Sequence, residues 1–212
     1  MNITIHKKKI KNSYIRILPT CEVRISVPKY VTQNYINTLI EERREWIEQK
    51  LDFISKKMPQ KISTLDSGEE LLYLGQKYTL EVIADKKNFV LFDKNIQLFI
   101  KSDDFELKKK IIDKFYLEES KKLLYNLVNK YQKIVNQNVN YVRIRKMSSR
   151  WGSCNCTRKN INLNSELIKK PIEFVEYVVL HELAHLSHPN HSKDFYEYIT
   201  KFMPDWKQRC KL

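Results

Sequence analysis

No stretch of the 212-residue chain comes near the roughly 20 consecutive apolar residues that a membrane-spanning helix needs. The first fifteen residues, MNITIHKKKIKNSYI, hold no apolar block of signal-peptide length. The expectation is a soluble, cytoplasmic protein with no membrane partner. Cysteine is scarce: Cys21, Cys154, Cys156 and Cys210 are the whole set. So scattered, they make no small-domain disulfide framework. Cys154 and Cys156 stand too close for an unstrained bridge, and no second pair accompanies them to build a zinc knuckle. Reduced thiols are the simple reading. Repeats and low-complexity segments are missing, and so are nucleic-acid motifs and any basic helix with interleaved aromatics.

What is present is an ordinary apolar fraction of 42%, enough for a sizeable core. The 39 basic side chains exceed the 25 acidic ones, for a net charge of +14. The excess sits in residues 1–60 and 141–212, each with six more basic than acidic side chains. Such a charge permits a nucleic-acid or acidic partner without requiring one. Most of the cations are lysine, the commoner solubilising residue.

The N-terminal third reads as short strands, NITIHKK, SYIRIL and EVRISV, which alternate apolar and polar residues. Pro28 ends them, and Thr32 is a plausible N-cap for a helix from Gln33 to about Lys57, stopped by Met58-Pro59. LLYLGQKYTLEVI and NFVLFDKNIQLFI look like further strands, the second with a turn at Asp93-Lys94-Asn95. Ser102 is a candidate cap for a long helix from Asp103 to about Gln137, with Lys108–Lys110 and Lys121–Lys122 as its solvated face. YVRIRKMSSRWG begins as a strand, CNCTRKN turns, and INLN returns, which suggests a hairpin. A helix is expected from Pro171 to Ser187 and another from Ser192 to about Met203. The fold class is α+β. A soft boundary near residue 102 separates a strand-rich part with one helix, residues 1–102, from a mainly helical part, residues 103–212.

The stretch VVLHELAHLSHPNH, Val178 to His191, holds four of the chain's five histidines. Within it, His181-Glu182-Leu183-Ala184-His185 is H-E-x-x-H. Residues four apart in an α-helix share a face, so His181 and His185 can share one small cation, for which neutral imidazole suits Zn²⁺. Glu182 lies at the edge of that face, within reach of a water on the ion. This is the layout of a metal-activated hydrolase, with the carboxylate as general base. Val175, Val178, Val179, Leu183 and Leu186 make the helix apolar enough to bury, so unpartnered imidazoles there are costly.

A third ligand has to approach from another direction. His188 lies in line with the first two, and seven residues of helix rise about 10.5 Å, too far for three ligands on one ion. Pro189-Asn190 turns the chain, and His191 can then fold back over the ion. The resulting H-E-x-x-H-x5-H has the span of the metzincin motif, although His188 stands where that motif has glycine. Asp194 or Glu197 from the last helix is the alternative third ligand. The oxyanion-stabilising residue is open among Tyr196, Tyr198, His188 and Arg150.

HELAHLSHPNHSKDFY, with SSRWGSC some thirty residues upstream, resembles the YgjP-like zinc metallopeptidases, relatives of the SprT group of zincins. SVPKYV and the following helix with Trp46-Ile47 fit that family's N-terminal half. The resemblance covers most of the chain and is strongest over residues 141–206. It implies zinc held by His181, His185 and His191, with Glu182 as catalytic base. It also implies a minimal zincin-like catalytic region whose active-site helix packs on a small sheet, with an edge strand over that helix. Arg150 and Trp151 then become substrate-side candidates, Trp151 alternatively a buried anchor for the hairpin. The expected substrate is a protein or peptide, and the SprT resemblance adds DNA-associated proteins as a possible target class. A binding module for nucleic acid or another partner, with a structural metal site, is the rival reading. Glu182 favours the enzyme, because a structural site does not need it.

Overall fold

The computed structural model describes residues 2–18, 22–57 and 63–212. The chain divides into two compact units, Met1–Ser63 and Thr64–Leu212. The boundary expected near residue 102 falls inside the second.

In the first unit, β1 (Asn2–Lys8), β2 (Tyr14–Ile17) and β3 (Glu22–Pro28) form a sheet of order β1-β3-β2. β1 runs parallel to β3 and β2 antiparallel to it. Alternation drives the packing: Val23, Ile25 and Val27 of β3 are buried together with Ile36 and Ile47. The helix expected over 33–57 is two helices, α1 (Gln33–Glu42) and α2 (Arg44–Lys57). Arg43 interrupts them with φ −108° and ψ 7°, outside helical geometry. Thr32 caps α1 as expected, its hydroxyl accepting from the Tyr35 amide. The stop at Met58-Pro59 and Cys21 lie outside the described residues.

The second unit begins with β4 (Glu70–Tyr73), β5 (Gln76–Ala84), β6 (Phe89–Phe92) and β7 (Ile96–Ile100), in the order β4-β5-β7-β6. The 30-residue helix α3 (Phe105–Ile134) buries Ile112 and Tyr116 against Leu80, Ile96 and Leu98 of this sheet. Further along, its Leu124, Leu127, Val128 and Tyr131 enter a second core. The cap of α3 is Asp104 rather than Ser102, its carboxylate accepting from the Leu107 amide at 2.7 Å. Lys108 does not belong to a solvated face. It is 4% exposed, and its ammonium pairs with Asp66 and Asp103, the arrangement a buried cation requires.

The second core is shared by α4 (Ile172–Ala184), α5 (Lys193–Phe202) and a three-stranded sheet of β8 (Tyr141–Arg145), β9 (Gly152–Asn155) and β10 (Asn160–Asn164). YVRIR and INLN do not form the expected hairpin: β8 pairs with β10 in parallel, and the antiparallel partner of β10 is β9, which takes in Cys154 from the expected turn. This leaves β9 as an edge strand. A short 3-10 helix, Ser165–Lys169, precedes α4, and α6 (Trp206–Arg209) follows α5. At its N-terminus α4 is braced by the β4–β5 turn. Gly75 has φ +79°, and a Cβ there would lie 2.8 Å from Pro171 Cγ and 2.9 Å from its Cα. Gly75→Ala is expected to destabilise the protein by about 1–3 kcal/mol, read as a lowered unfolding midpoint.

Candidate metal centre

The α4 helix ends earlier than its sequence pattern suggests, at Ala184, and the chain tightens into a turn through Ser187. That early end separates the in-line His188 from the two helical histidines. The His188 ring packs on Tyr198 at a centroid distance of 5.0 Å, and its backbone carbonyl accepts from His185 Nδ1 at 3.2 Å. This contact places the His185 proton on Nδ1 and leaves Nε2 free as a donor to a cation. The turn then brings His191 back over the helix. His191 Nε2 lies 3.0 Å from His181 Nε2, and one nitrogen from each of His181, His185 and His191 lies within 4.8 Å of the others. Neither Asp194 nor Glu197 joins this cluster, and Glu197 instead faces Lys193 at 3.4 Å.

The environment favours the neutral form of His181 and His185. Burial, reinforced by the other two histidines, pulls His181 down to about 4. Burial also lowers His185. The Tyr177 hydroxyl stands 3.3 Å from His181 Nδ1. Glu182 is 6% exposed, and its Oε2 has no hydrogen-bond partner. Burial pushes its carboxyl up to about 8, against the opposing pull of the Arg150 charge. Three imidazoles converging in one cluster, with a buried carboxylate oxygen of the same helix left unpartnered, make a donor set that fits a divalent cation.

Three further residues shape the surroundings of this centre. Phe195, fully buried, packs against all three imidazoles, with centroids at 5.0, 4.7 and 4.8 Å from His181, His185 and His191. Its position follows from the Ser192 cap of α5, whose hydroxyl accepts from the Phe195 amide. Asn164, 4% exposed, is saturated: its amide donates to the carbonyls of Met147 and Arg150, and its oxygen accepts from the Met147 and Glu166 amides. It thereby folds residues 147–151 toward α4. Gly152 is the third. A Cβ there would collide with Glu182 Oε1 and lie 2.6 Å from Cγ, so β9 passes the carboxylate at a distance only glycine permits. The cap position of Ser192 is the one local signal for Phe195, Gly152 stands within the SSRWGSC segment that carries the family resemblance, and Asn164 has no local signal.

Of the remaining candidates, Trp151 lines a cleft that reaches His181, whereas Arg150 is not among its lining residues. Trp151 is 38% exposed and packs edge-on against Phe174 at 5.7 Å, so it is both a hairpin anchor and an accessible surface. A cleft of about 380 Å³ lies between Trp151 and Gly152 on one side and Phe174, Tyr177 and Val178 on the other, reaching His181 and Glu182. Arg150 is exposed. Among the described residues, no helix is long and apolar enough to cross a membrane.

Residues 11–212 match the YgjP-like metallopeptidase domain family. Among solved structures, the metallopeptidase zymogen of Pyrococcus abyssi abylysin is 24% identical, over 41% of this chain and 87% of that one, with a TM-score of 0.38. The zymogen of Methanocaldococcus jannaschii jannalysin is also 24% identical, over 42% and 86%, with a TM-score of 0.36. No curated protein matches the chain. The family read from HELAHLSHPNHSKDFY and SSRWGSC is therefore the one found: this chain belongs to the YgjP-like metallopeptidases.

Proposed function

We propose that the protein is a zinc-dependent peptidase in which His181, His185 and His191 hold the metal and Glu182 is the general base. The observation that carries this reading is the convergence of three ring nitrogens within 4.8 Å, next to a buried carboxylate with an unpartnered oxygen. Imidazole donors suit zinc, and three protein ligands leave an open position, the mark of a catalytic site. A bound Zn²⁺ supplies Lewis-acid chemistry, polarising the peptide carbonyl and lowering the pKa of water toward about 7. Glu182 takes the proton of the attacking water and later passes it to the leaving amine. The edge strand β9 offers its unpaired backbone to an extended peptide by strand addition, with Trp151 at the lip of the cleft.

Treatment with a chelator is expected to abolish cleavage of an unfolded protein substrate, and added Zn²⁺ to restore it. Cleavage that persists in verified metal-free protein would count against the reading. The same assay with DNA at two salt concentrations addresses the +14 charge. Salt-sensitive stimulation would assign that surface a nucleic-acid partner and point to DNA-associated substrates.

A further inference from the structure

The α6 turn takes no part in the chemistry above, yet its one large side chain packs with two side chains that neighbour the imidazoles. The Trp206 indole is nearly parallel to the Tyr177 ring, with centroids 6.2 Å apart and planes 11° apart. It also stacks on Tyr196 at 5.0 Å and 17°. Tyr177 presents its hydroxyl to His181 Nδ1 at 3.3 Å. Tyr196 lies alongside the His191 ring at 6.3 Å and 26°. One indole therefore joins the support of a histidine on α4 to the support of a histidine in the turn before α5.

The three imidazoles are not held alike. His181 and His185 each have an Nδ1 contact, with the Tyr177 hydroxyl and the His188 carbonyl. Among the described residues, His191 has no hydrogen bond apart from the one to His181, and it is exposed. Its ring is oriented by packing between Phe195 and Tyr196. Tyr196 is itself 36% exposed, and Trp206 covers one of its faces. The indole in turn is fixed from several directions. Its Nε1–H donates to Thr200 Oγ1 at 2.9 Å. Arg209 ties the same turn to Glu176 of α4 at 2.7 Å, and Glu176 also pairs with Lys130 at 2.9 Å.

We infer that Trp206 is a positioning residue of the metal centre, holding His181 and His191 in mutual register through Tyr177 and Tyr196. The inference rests on the assignment of the three histidines as ligands. Partners that orient metal ligands typically contribute 10–100-fold in affinity. Trp206→Ala is accordingly expected to weaken zinc binding about 10–100-fold, while Trp206→Phe, which keeps a flat ring to pack with both tyrosines, stays near wild type.

The test is zinc affinity of the full chain, measured by competition with a chromophoric chelator, alongside thermal unfolding of each metal-free variant. Ile112→Ala, in the separate core beneath α3, serves as a variant destabilised away from the centre. Weakened zinc binding in Trp206→Ala, with near-wild-type affinity in Trp206→Phe and Ile112→Ala, supports the inference. Unchanged affinity in Trp206→Ala overturns it, and so does an equal loss in an Ile112→Ala protein of matching stability. Should Trp206→Ala fail to fold, Trp206→Leu, which fills the space without a ring face, takes its place with the same expected loss. A wild-type chain that binds no zinc overturns the ligand assignment and this inference together. Wild-type binding with an unchanged variant overturns this inference alone.

Discussion

Glu182→Gln is expected to lower peptide cleavage by about 10²–10⁴-fold, the usual contribution of a positioned general base, while leaving metal content and fold intact. The amide has nearly the shape of the carboxylate, so the contact with Gly152 survives, but it cannot accept the water's proton. Matched zinc stoichiometry, circular dichroism and kcat/KM would check this. A variant as active as the wild type would remove Glu182 from the mechanism. The same substitution has a second consequence in metal-free protein. Burial pushes the Glu182 carboxyl from its ordinary 4.5 up to about 8. Between those values the folded chain holds a proton that the unfolded chain has released, so this group makes stability fall as pH rises. Metal-free Glu182→Gln lacks that loss. Its stability relative to wild type should therefore improve from about pH 4.5 to pH 8, as thermal unfolding across that range would reveal.

His191→Ala is expected to strip the protein of zinc and activity, whereas Glu197→Ala and His188→Ala keep the metal. Removing a group that merely orients a ligand costs roughly 10–100-fold in affinity, so deleting a ligand should cost more than about 100-fold. The contrast with Glu197 is the informative part. That carboxylate lies on the next helix, the usual source of a third ligand in two-histidine, one-glutamate sites, yet it faces Lys193. The His188 ring packs on Tyr198. Zinc measured per chain in the three variants separates the possibilities. Full occupancy in His191→Ala together with loss in Glu197→Ala would reverse the assignment.

The parts of this centre that were legible in the sequence are those governed by local spacing. H-E-x-x-H puts two imidazoles on one helical face, and Pro189-Asn190 forces the chain to turn before His191; the three imidazoles do lie together. The α+β class was equally legible, because strand segments such as β3 and β7 bury every second residue along most of their length. What escaped notice depends on chain segments far apart in sequence. Nothing near Asn164 says that its amide will bridge to Met147 and Arg150. Lys108 looks like one of three solvated lysines until Asp66 arrives from forty-two residues away. The parallel pairing of β8 with β10 skips over β9, and short apolar alternation does not encode which neighbour a strand selects. The break at Arg43 has no glycine or proline to announce it.

The glycine of the hairpin has a meaning beyond catalysis. Side chains along a strand alternate between faces, so sliding β9 by one residue against β10 exchanges what each position presents. In the observed register Gly152 sits opposite Leu163 and against Glu182. A slip of one residue would bring Trp151 or Ser153 to that position, and neither side chain fits where a single Cβ already collides. The carboxylate thus acts as a gauge for assembly of the hairpin. Mispaired chains cannot close over the helix, so those that close carry the strand in the register that the cleft requires.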